Sequence, residues 1–442
     1  MERKIRHWKL HKSKKGILTE VLLILAFCLL FGTGLQLRPG YLLAGTALCL
    51  LQAPSLYRNY RRSCCERQRF RDVNAYLAHM VQAFADNGKI LTALRATRDI
   101  FPKGSVRQLL TRAACMIEQG ADPELAEEEA LALIREKYDC ERVRTLHDFL
   151  RKAESRGGSC NREFRLLECM RQSWEKSSVK YRQTACMARN LVAIEYAFLI
   201  LICIFMLRQF PEELKILNLP LVQGVNMLLI VFFFVVYGRL DRKLGQSMLA
   251  DPKPMSEQQV RARFGRVRRL QEKRSLFRYP SGMLALVSLR SEVRRVFPGW
   301  LFDVLLLMQS ENVAVSLFLS IEKAPPVLRE ELKAMSRTLK EDPASQEAYL
   351  SFLAELQIPQ VENAMRYLYA VSTGMSGETE AMELLMELSL GMLEEAEQRK
   401  LKRKEDMFSA YYLIPTVPIM VCMMGYAAAL IFVIFQSITT MI

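Results

Sequence analysis

The chain has 442 residues, 51% of them hydrophobic and 25% charged, with a formal net charge of +15 at pH 7. Its mean hydropathy of +0.05 is too high for an ordinary soluble protein and too low for a transporter that lies wholly in lipid. The composition therefore predicts membrane spans combined with soluble domains. The 11 cysteines show no CxxC spacing and do not indicate a disulfide scaffold.

Five apolar segments approach or reach the roughly 20 residues that a bilayer crossing needs. In chain order they cover residues 17–35, 41–56, 191–207, 219–237 and 411–435. The Arg38-Pro39-Gly40 turn joins the first two segments, which are therefore predicted to form a hairpin. An early apolar stretch is also typical of a signal peptide, but no small-residue cleavage site is evident and a second apolar segment follows at once. We therefore interpret the first segment as an anchor.

Lys and Arg residues cluster on one side of these segments. They precede the first, follow the second, precede the third, follow the fourth and precede the fifth segment, whereas the linkers 34–40 and 208–218 carry few. Basic flanks remain on the cytosolic side of a membrane. The pattern therefore predicts five crossings, with the N-terminus and both large domains in the cytosol and the C-terminus outside.

Residues 299–321 form a sixth apolar segment that we do not count as a span. The segment contains Asp303 and Glu311, and an acidic residue near a span centre costs about 2.5–3.5 kcal/mol. Counting it would also place the basic residues 399–404 outside. We predict two cytosolic helices here, broken at Glu311-Asn312, and a matching break at Asn87-Gly88 earlier in the chain.

The chain contains an internal repeat. Trp300-Leu301 lies 224 positions after the similar Tyr76-Leu77, and Pro326 lies 224 positions after Pro102. Apolar residues recur with helical spacing between about 70 and 186, and the region from about 280 to 408 follows the same order. Duplication is favoured over chance similarity of two Leu-rich bundles. The predicted fold class is all-α, a polytopic membrane protein with five transmembrane helices and two repeated cytosolic helical bundles.

The predicted organisation has six parts. They are a basic tail and transmembrane hairpin (1–58), a first cytosolic bundle (59–187), a second hairpin (188–238), a basic cytosolic linker (239–280), a second cytosolic bundle (281–408) and a C-terminal transmembrane helix (409–442). The Arg-rich stretch 261–278 fits either an amphipathic helix on anionic headgroups or a solvated connector. Nucleic acid is a weaker alternative for a basic run this close to a bilayer.

The sequence shows no motif for catalysis or for a cofactor. It lacks GxxxxGK[ST], HExxH and paired CxxC motifs, and its His7 and His11 lie in a Lys-rich tail that repels cations. We therefore predict a protein that is not an enzyme and holds no cofactor or metal. Glu195, one turn into the third span, is a candidate intramembrane polar site, with a structural ion pair to Arg189 or Lys180 as the favoured alternative.

The openings of the two repeats resemble a known family. Tyr76-Leu77 … Gly88 … Leu91-Thr92-Ala93-Leu94 and Trp300-Leu301 … Asn312 … Val315-Ser316-Leu317-Phe318, each with a span after its bundle, are similar to the F-domain platform proteins of type II secretion and type IV pilus machines. The Tad-type (Flp) pilus-assembly branch is the most similar. The resemblance covers about residues 70–237 and 290–438 and is carried by architecture. The chain departs from it at Asn312, where Gly is usual, and at Lys340-Glu341-Asp342, which lacks the glycine of Glu118-Gln119-Gly120.

The resemblance implies a non-enzymatic platform in the bacterial cytoplasmic (inner) membrane. Its expected partners are a cytosolic secretion ATPase, pilin or pseudopilin subunits, a second platform protein or a second copy of itself, and the lipid bilayer, but no nucleic acid. Two acidic stretches are candidate docking surfaces for a basic partner, namely residues 378–397 and the run Glu124, Glu127, Glu128 and Glu129. The alternatives are a polytopic transporter or channel component, which needs polar residues deep in several spans, and a membrane-anchored signalling scaffold.

Overall fold

The computed structural model describes residues 14–156, 161–209, 219–245, 254–272, 280–308, 311–374 and 378–441. All regular elements in these ranges are helical, which confirms the all-α prediction. The α-helices are α1 Lys14–Gly34, α2 Pro39–Leu50, α3 Ala53–Asn87, α4 Ile90–Ile100, α5 Ser105–Gln119, α6 Pro123–Tyr138, α7 Glu141–Arg156, α8 Asn161–Leu207, α9 Pro220–Leu244, α10 Glu257–Glu272, α11 Pro280–Leu307, α12 Val313–Ser320, α13 Pro326–Glu341, α14 Gln346–Leu350, α15 Pro359–Ser372 and α16 Glu378–Met441. A short 3-10 helix, Ala354–Leu356, follows α14.

The chain divides into two compact units. Unit 1 comprises Met1–Arg69, Val179–Met248 and Lys402–Ile442, and unit 2 comprises Phe70–Ser178 and Leu249–Leu401. Unit 2 thus takes residues from both predicted bundles. The helices α3, α8 and α16 each contribute residues to both units.

Unit 1 contains the apolar helices. The helices α8 and α9 are long and apolar enough to cross a membrane, and α1 and α16 contain shorter apolar stretches, Leu18–Gly34 and Thr416–Phe432. Only 28% of the most apolar 18-residue segment of α8, and 44% of the corresponding segment of α9, is buried inside the protein. Large apolar side chains therefore face outward, as a surface in contact with lipid requires, and such an extended apolar surface is unusual on a soluble monomer. Unit 1 is compatible with a membrane location.

The predicted second span, residues 41–56, is not a single helix. The helix α2 ends at Leu50 after 12 residues, and α3 begins at Ala53. At 1.5 Å per residue α2 is about 18 Å long, shorter than the roughly 30 Å of a bilayer core. Nevertheless Ala53 and Leu56 of α3 belong to the same buried apolar cluster as Cys49 of α2.

Two buried amide side chains join helices of unit 1. The side chain of Gln223 on α9 accepts a hydrogen bond from the backbone N–H of Arg38 at 2.8 Å and donates one to the carbonyl of Gln36 at 3.0 Å. It therefore fixes the turn between α1 and α2. The side-chain oxygen of Asn226, also on α9, accepts a hydrogen bond from the Tyr426 hydroxyl of α16 at 2.5 Å. These polar groups join the helices and stabilise their packing.

Unit 2 contains the same order of helices twice. The sequence of helices α3, α4, α5, α7 and α8 is repeated by α11, α12, α13, α15 and α16. In the place of α6 the second copy has only the short α14 and the 3-10 helix. The predicted helix breaks are confirmed, because α3 ends at Asn87 and α12 begins immediately after Asn312. The segment interpreted as cytosolic rather than membrane-spanning belongs to the bundle core, in which Trp300, Leu301 and Val304 are buried.

The basic stretch after α9 contains a helix that packs into the second bundle. The helix α10 contributes Val260, Phe264 and Val267 to the buried cluster that also holds α11 and α13. Its apolar face is therefore covered by protein rather than available for lipid headgroups. The second bundle accordingly includes residues before the predicted boundary at 281, although residues 273–279 lie outside the described part of the chain.

Candidate docking face, bundle junction and pocket

The acidic run predicted as a docking surface lies at the start of α6. The Asp122 carboxylate accepts hydrogen bonds from the backbone N–H groups of Glu124 and Leu125 at 3.0 and 3.4 Å, and Pro123 follows at the first helical position. This N-cap with a following proline explains why the helix starts here. Ala126 and Ala130 face the bundle core and are buried. Because these two alanines face the core, the helical period determines which carboxylates of α6 face solvent.

Two of the four predicted docking carboxylates are partly buried and used within the bundle. Glu128 accepts a hydrogen bond from Arg135 at 2.5 Å and also forms an ion pair with Arg151 of α7. Glu127 is half-buried, and burial followed by the nearby charge of Glu154 raises its pKa above the ordinary value. Glu128 therefore joins α6 to α7 and Glu127 is partly shielded from solvent, whereas Glu124 and Glu129 are exposed.

The helical period defines a face of α6 that the acidic run does not reveal. Leu125, Glu129 and Glu136 follow one another at i, i+4 and i+11, so they lie on one side of the helix. All three are exposed, and Leu125 retains 58% of its surface. Neither Glu129 nor Glu136 has an ion pair among the described residues. We call Leu125, Glu129 and Glu136 the α6 outer face; an apolar side chain beside two unpaired carboxylates suits recognition of a basic protein surface.

The second predicted acidic surface, residues 378–397, includes a residue that holds the two bundles together. The Glu397 carboxylate of α16 accepts hydrogen bonds from Arg142 of α7 and from Lys400, both at 2.9 Å. Burial alone would raise the pKa of Glu397, but Arg142 and Lys400 hold it below its ordinary value. Arg142 also lies over the ring of Trp174 on α8, 4.7 Å from the ring centroid. Glu397 is therefore a structural residue of the junction.

A second ionic contact joins the two bundles within unit 2. Lys323, which follows α12, donates a hydrogen bond to Asp148 of α7 at 2.5 Å. Arg135 of α6 lies 3.6 Å from the other oxygen of Asp148. The junction thus connects α7 of the first copy with residues of the second copy through side chains of opposite charge, and Arg135 of α6 shares the Asp148 carboxylate.

Glu195 is half-buried on α8 in unit 1, beside the buried Tyr196. The acidic partner that the structure shows for Arg189 is Asp241 of α9, at 3.9 Å. Arg189 thus contacts α9 just before the apolar stretch of α8 begins.

A pocket lies in unit 1 where three helices carry basic flanks. It opens to solvent and is lined by residues that include Ser63, Arg67, Arg182, Cys186, Arg189 and Asp241. Neighbouring contacts fix the helices around it, because Asn59 of α3 donates a hydrogen bond to the Gly238 carbonyl of α9 at 3.2 Å. The sequence placed these basic residues at the ends of spans but did not predict that they share a pocket.

Comparisons with known proteins complete the description of these sites. No family model, no curated protein and no solved structure matches this chain. Within the described residues, no group of three or more His, Cys, Asp or Glu side chains is arranged to hold a metal ion.

Proposed function

We propose that this protein is a non-enzymatic platform of a cytoplasmic membrane that couples a cytosolic secretion ATPase to assembly of a type IV or Flp-like pilus, or of a pseudopilus. The observation that carries the proposal is the repeated order of helices, α3 to α8 and α11 to α16. The last helix of each copy, α8 or α16, continues without interruption into an apolar stretch. A duplicated cytosolic bundle with a span after each copy is the layout that such a platform requires.

The proposed topology has five crossings. The helices α1, α8, α9 and α16 supply four of them. The remaining crossing is formed by α2 with the first turn of α3, because Pro39 to Tyr57 would span about 28 Å as helix. Membership of Cys49, Ala53 and Leu56 in one apolar cluster with α1 and α9 supports this assignment. The basic flanks then all lie in the cytosol, with both bundles.

The helices α8 and α16 contact each other within each of the two units. In unit 2 Arg142 links Trp174 of α8 to Glu397 of α16. In unit 1 the same two helices meet again, where Lys404 lies 3.9 Å from the ring centroid of Tyr181 and Thr184 donates a hydrogen bond to Glu405 at 3.4 Å. Pairing of the two helices that continue into apolar stretches supports a platform in which these two spans act together.

A polytopic transporter is the main alternative, and the polar residues of the spans speak against it. Gln223 and Asn226 are buried and bonded to neighbouring helices. Amides used in this way stabilise helix packing and do not line a path for a solute.

The first test is co-purification of the full-length protein, in detergent, with its cognate secretion ATPase. Glu129→Lys/Glu136→Lys reverses both charges of the α6 outer face and should abolish capture. The matched control, Glu341→Lys/Glu347→Lys, makes the same change at two exposed carboxylates of the second bundle and should retain it. Equal capture by both variants, or by neither, would contradict docking through α6.

The second test is topology. Single cysteines at the exposed Ser155 and Ser351, in a background without native thiols, report on the two bundles separately. Both should react with a membrane-impermeant reagent only after the cytoplasmic membrane has been permeabilised. Labelling of the two sites from opposite faces of the membrane would contradict the platform proposal.

A further inference from the structure

The helices α10 and α11 of unit 2 form an antiparallel hairpin. The backbone N–H of Met255, just before α10, donates a hydrogen bond to Glu292 of α11 at 3.0 Å, and Arg263 of α10 donates one to Ser288 of α11. The partners on α11 thus fall in number as the residues of α10 rise. At this register Arg266, one turn after Arg263 on α10, lies level with the first turns of α11.

The start of α11 carries large apolar side chains on the side that faces away from the bundle core. Met283, Leu284 and Val287 are 51%, 70% and 52% exposed, and their spacing of i, i+1 and i+4 places them on one half of the helix. Ala285 and Leu289, on the other half, are buried in the second bundle. Single exposed apolar residues are normal on a soluble surface, but a contiguous group indicates contact with an apolar partner.

The adjoining flank of α10 is basic. Three of the five arginines of α10 form hydrogen bonds or ion pairs within the bundle, namely Arg261, Arg263 and Arg268. The other two, Arg266 and Arg269, are exposed, and neither has an ion pair among the described residues. Although the apolar face of α10 is covered by protein, these two guanidinium groups are open to solvent. We call Arg266, Arg269, Met283, Leu284 and Val287 the hairpin outer face.

The internal repeat relates this face to a position beside a proposed crossing. Leu284 lies 224 positions after Tyr60, the same spacing that relates Trp300 to Tyr76. Tyr60 follows the proposed second crossing within one turn, is 52% exposed, and is flanked by the exposed Arg58 and Arg62. Both copies therefore have an exposed large apolar side chain at this position of their first helix. In the first copy its arginines belong to the same helix, and in the second copy α10 supplies them.

We infer that the hairpin outer face docks on the anionic headgroup layer of the cytoplasmic membrane. Met283, Leu284 and Val287 enter the boundary between headgroups and acyl chains, and Arg266 and Arg269 bind lipid phosphates. Apolar side chains beside basic ones are the composition of surfaces that lie in this layer, whereas a nucleic acid would leave the three apolar side chains without a partner. The inference rests on the proposed topology, which places both bundles in the cytosol, but not on the identity of the motor.

Docking would give the second bundle an attachment to the bilayer besides α16. The first bundle is followed by α8 and preceded by the proposed second crossing, so the bilayer holds it at both ends of its chain segment. The second bundle is preceded instead by α10 and residues outside the described part of the chain. The hairpin outer face would therefore take the place of the crossing that precedes the first bundle.

The test uses the full-length protein, without native thiols, with a single cysteine at the exposed Ser281, one turn before Leu284. An environment-sensitive fluorophore on this cysteine is measured in nanodiscs of phosphatidylglycerol or of phosphatidylcholine, each with a small fraction of spin-labelled lipid. Quenching by the spin label reports contact with the bilayer. It should be strong in phosphatidylglycerol and weak in phosphatidylcholine, because the latter offers the two arginines no net negative charge.

A pair of charge variants tests the arginines. Arg266→Gln/Arg269→Gln should lower the ratio of docked to undocked protein roughly 30-fold in phosphatidylglycerol, since each basic residue near an anionic surface contributes on the order of 1 kcal/mol. The matched control, Lys333→Gln/Arg337→Gln, removes the same charge from the exposed side of α13 and should keep the quenching of the wild type.

A pair of polar variants tests the apolar contact. Leu284→Gln/Val287→Gln should also reduce quenching, because polar side chains gain nothing from entering the acyl boundary. Val315→Gln/Leu319→Gln makes the same kind of change at two exposed apolar positions of α12 and should not reduce it.

Several outcomes would overturn the inference. Equal quenching in the two lipids would do so, and so would an equal loss in the α13 control, which would indicate general attraction to net charge. Cross-linking between the labelled positions of two chains in detergent would assign the face to a second copy of the protein. If the arginine variant does not fold, the polar variant of α11 tests the same docking.

The measurement also separates this inference from the platform proposal, because it needs no ATPase. A protein that shows lipid-dependent quenching but captures no motor would refute the platform proposal alone. A protein that captures its motor but shows no quenching at Ser281 would refute the docking of the hairpin outer face alone.

Discussion

The two bundles of unit 2 place a large aromatic side chain at the same point of their first helix but satisfy its polar group differently. In the first bundle the Tyr76 hydroxyl forms a 2.8 Å hydrogen bond with Nε2 of His147, and both side chains are buried. In the second, Nε1–H of Trp300 donates to the hydroxyl of Ser320 at 3.0 Å. A buried polar group without a partner is costly, so a change of aromatic residue between the copies requires a change of partner. Only the first of these two hydrogen bonds involves a histidine, whose charge changes near neutral pH.

The breaks after the first helices also differ between the copies. In the first, Gly88 adopts a left-handed conformation with φ of +65°, and the N–H of Ile90 donates to the Glu154 carboxylate at 2.9 Å. In the second, Asn312 is extended, and its side chain accepts a hydrogen bond from the N–H of Val315 at 2.8 Å. A distant carboxylate and a local N-cap thus meet the same need, a partner for the free N–H groups at a helix start.

The third difference explains a missing glycine. Gly120 and Asp342 both end the third helix of their copy, α5 and α13. A Cβ at Gly120 would lie 2.3 Å from the Cβ of Ala126 on α6, which excludes any side chain. The second copy has no counterpart of α6, so Asp342 fits and accepts a hydrogen bond from the N–H of Ala344 at 3.1 Å. The α6 outer face consequently exists on the first bundle alone, and the two bundles differ in the surface that they expose at this position.

The largest effect is expected from a substitution that breaks the ionic contact between the two copies. Glu397→Gln leaves Arg142 half-buried beside Trp174 without its carboxylate, and we expect the junction to lose about 3 kcal/mol, the low end for a broken buried pair. Hydrogen exchange of α7 and α16, followed by mass spectrometry, measures this loss. Arg261→Gln removes the exposed pair with Glu330 and should change exchange by less than about 0.5 kcal/mol. Similar losses in both variants would mean that Glu397 does not hold the junction.

The second prediction concerns the close approach of α5 and α6. Gly120→Val should destabilise the first bundle by about 1–3 kcal/mol, because the added atoms must displace Ala126. The variant Asp342→Val at the matching position meets no such helix and loses only its turn hydrogen bond. Faster exchange in α6 of the first variant, with the second bundle unchanged, is the expected readout. Tolerance of valine at Gly120 would contradict the packing account.

These contrasts also show what the sequence could predict. The helix breaks, the repeat and the all-helical fold followed from Asn87-Gly88, Glu311-Asn312 and the apolar spacing, since these are local signals. The division of residues 41–56 into two helices could not be predicted, because a run of apolar residues does not reveal a turn at Leu51-Gln52. The roles of Glu128 and Glu397 were hidden for another reason: their partners Arg151 and Arg142 lie on other helices, and a charge run alone reads as a solvated surface.

The third prediction separates the two aromatic partners by pH. Burial, and then the charge of Arg135, lower the pKa of His147 to about 3, whereas an unfolded histidine has a pKa of about 6.5. Below pH 6.5 the unfolded chain therefore binds a proton that the folded bundle does not, so stability falls as pH falls toward 3. Between pH 6.5 and 5 the first bundle should lose roughly 2 kcal/mol.

The matched variants for this prediction are His147→Gln and Ser320→Ala. His147→Gln cannot take up the proton. Once the intrinsic exchange rate at each pH is divided out, the protection of the first bundle in this variant should stay the same between pH 6.5 and 5. Ser320→Ala leaves the indole N–H of Trp300 unpaired and should weaken the second bundle by about the same amount at every pH in this range. A pH dependence that survives in His147→Gln would have to come from other groups, and the comparison of the two aromatic sites would fail.

The smallest expected effect lies at the helix break of the second copy. Asn312→Ala removes the side chain that accepts from Val315 and should cost about 1 kcal/mol, whereas Asn312→Gly, which introduces the residue found at Gly88, should cost only a few tenths. Local exchange of α12 compares the two variants directly. Because α12 has only eight residues, a lost cap has a large share in its stability. If alanine and glycine behave alike, the cap does not determine where α12 starts, and burial of Val313 and Leu317 does so instead.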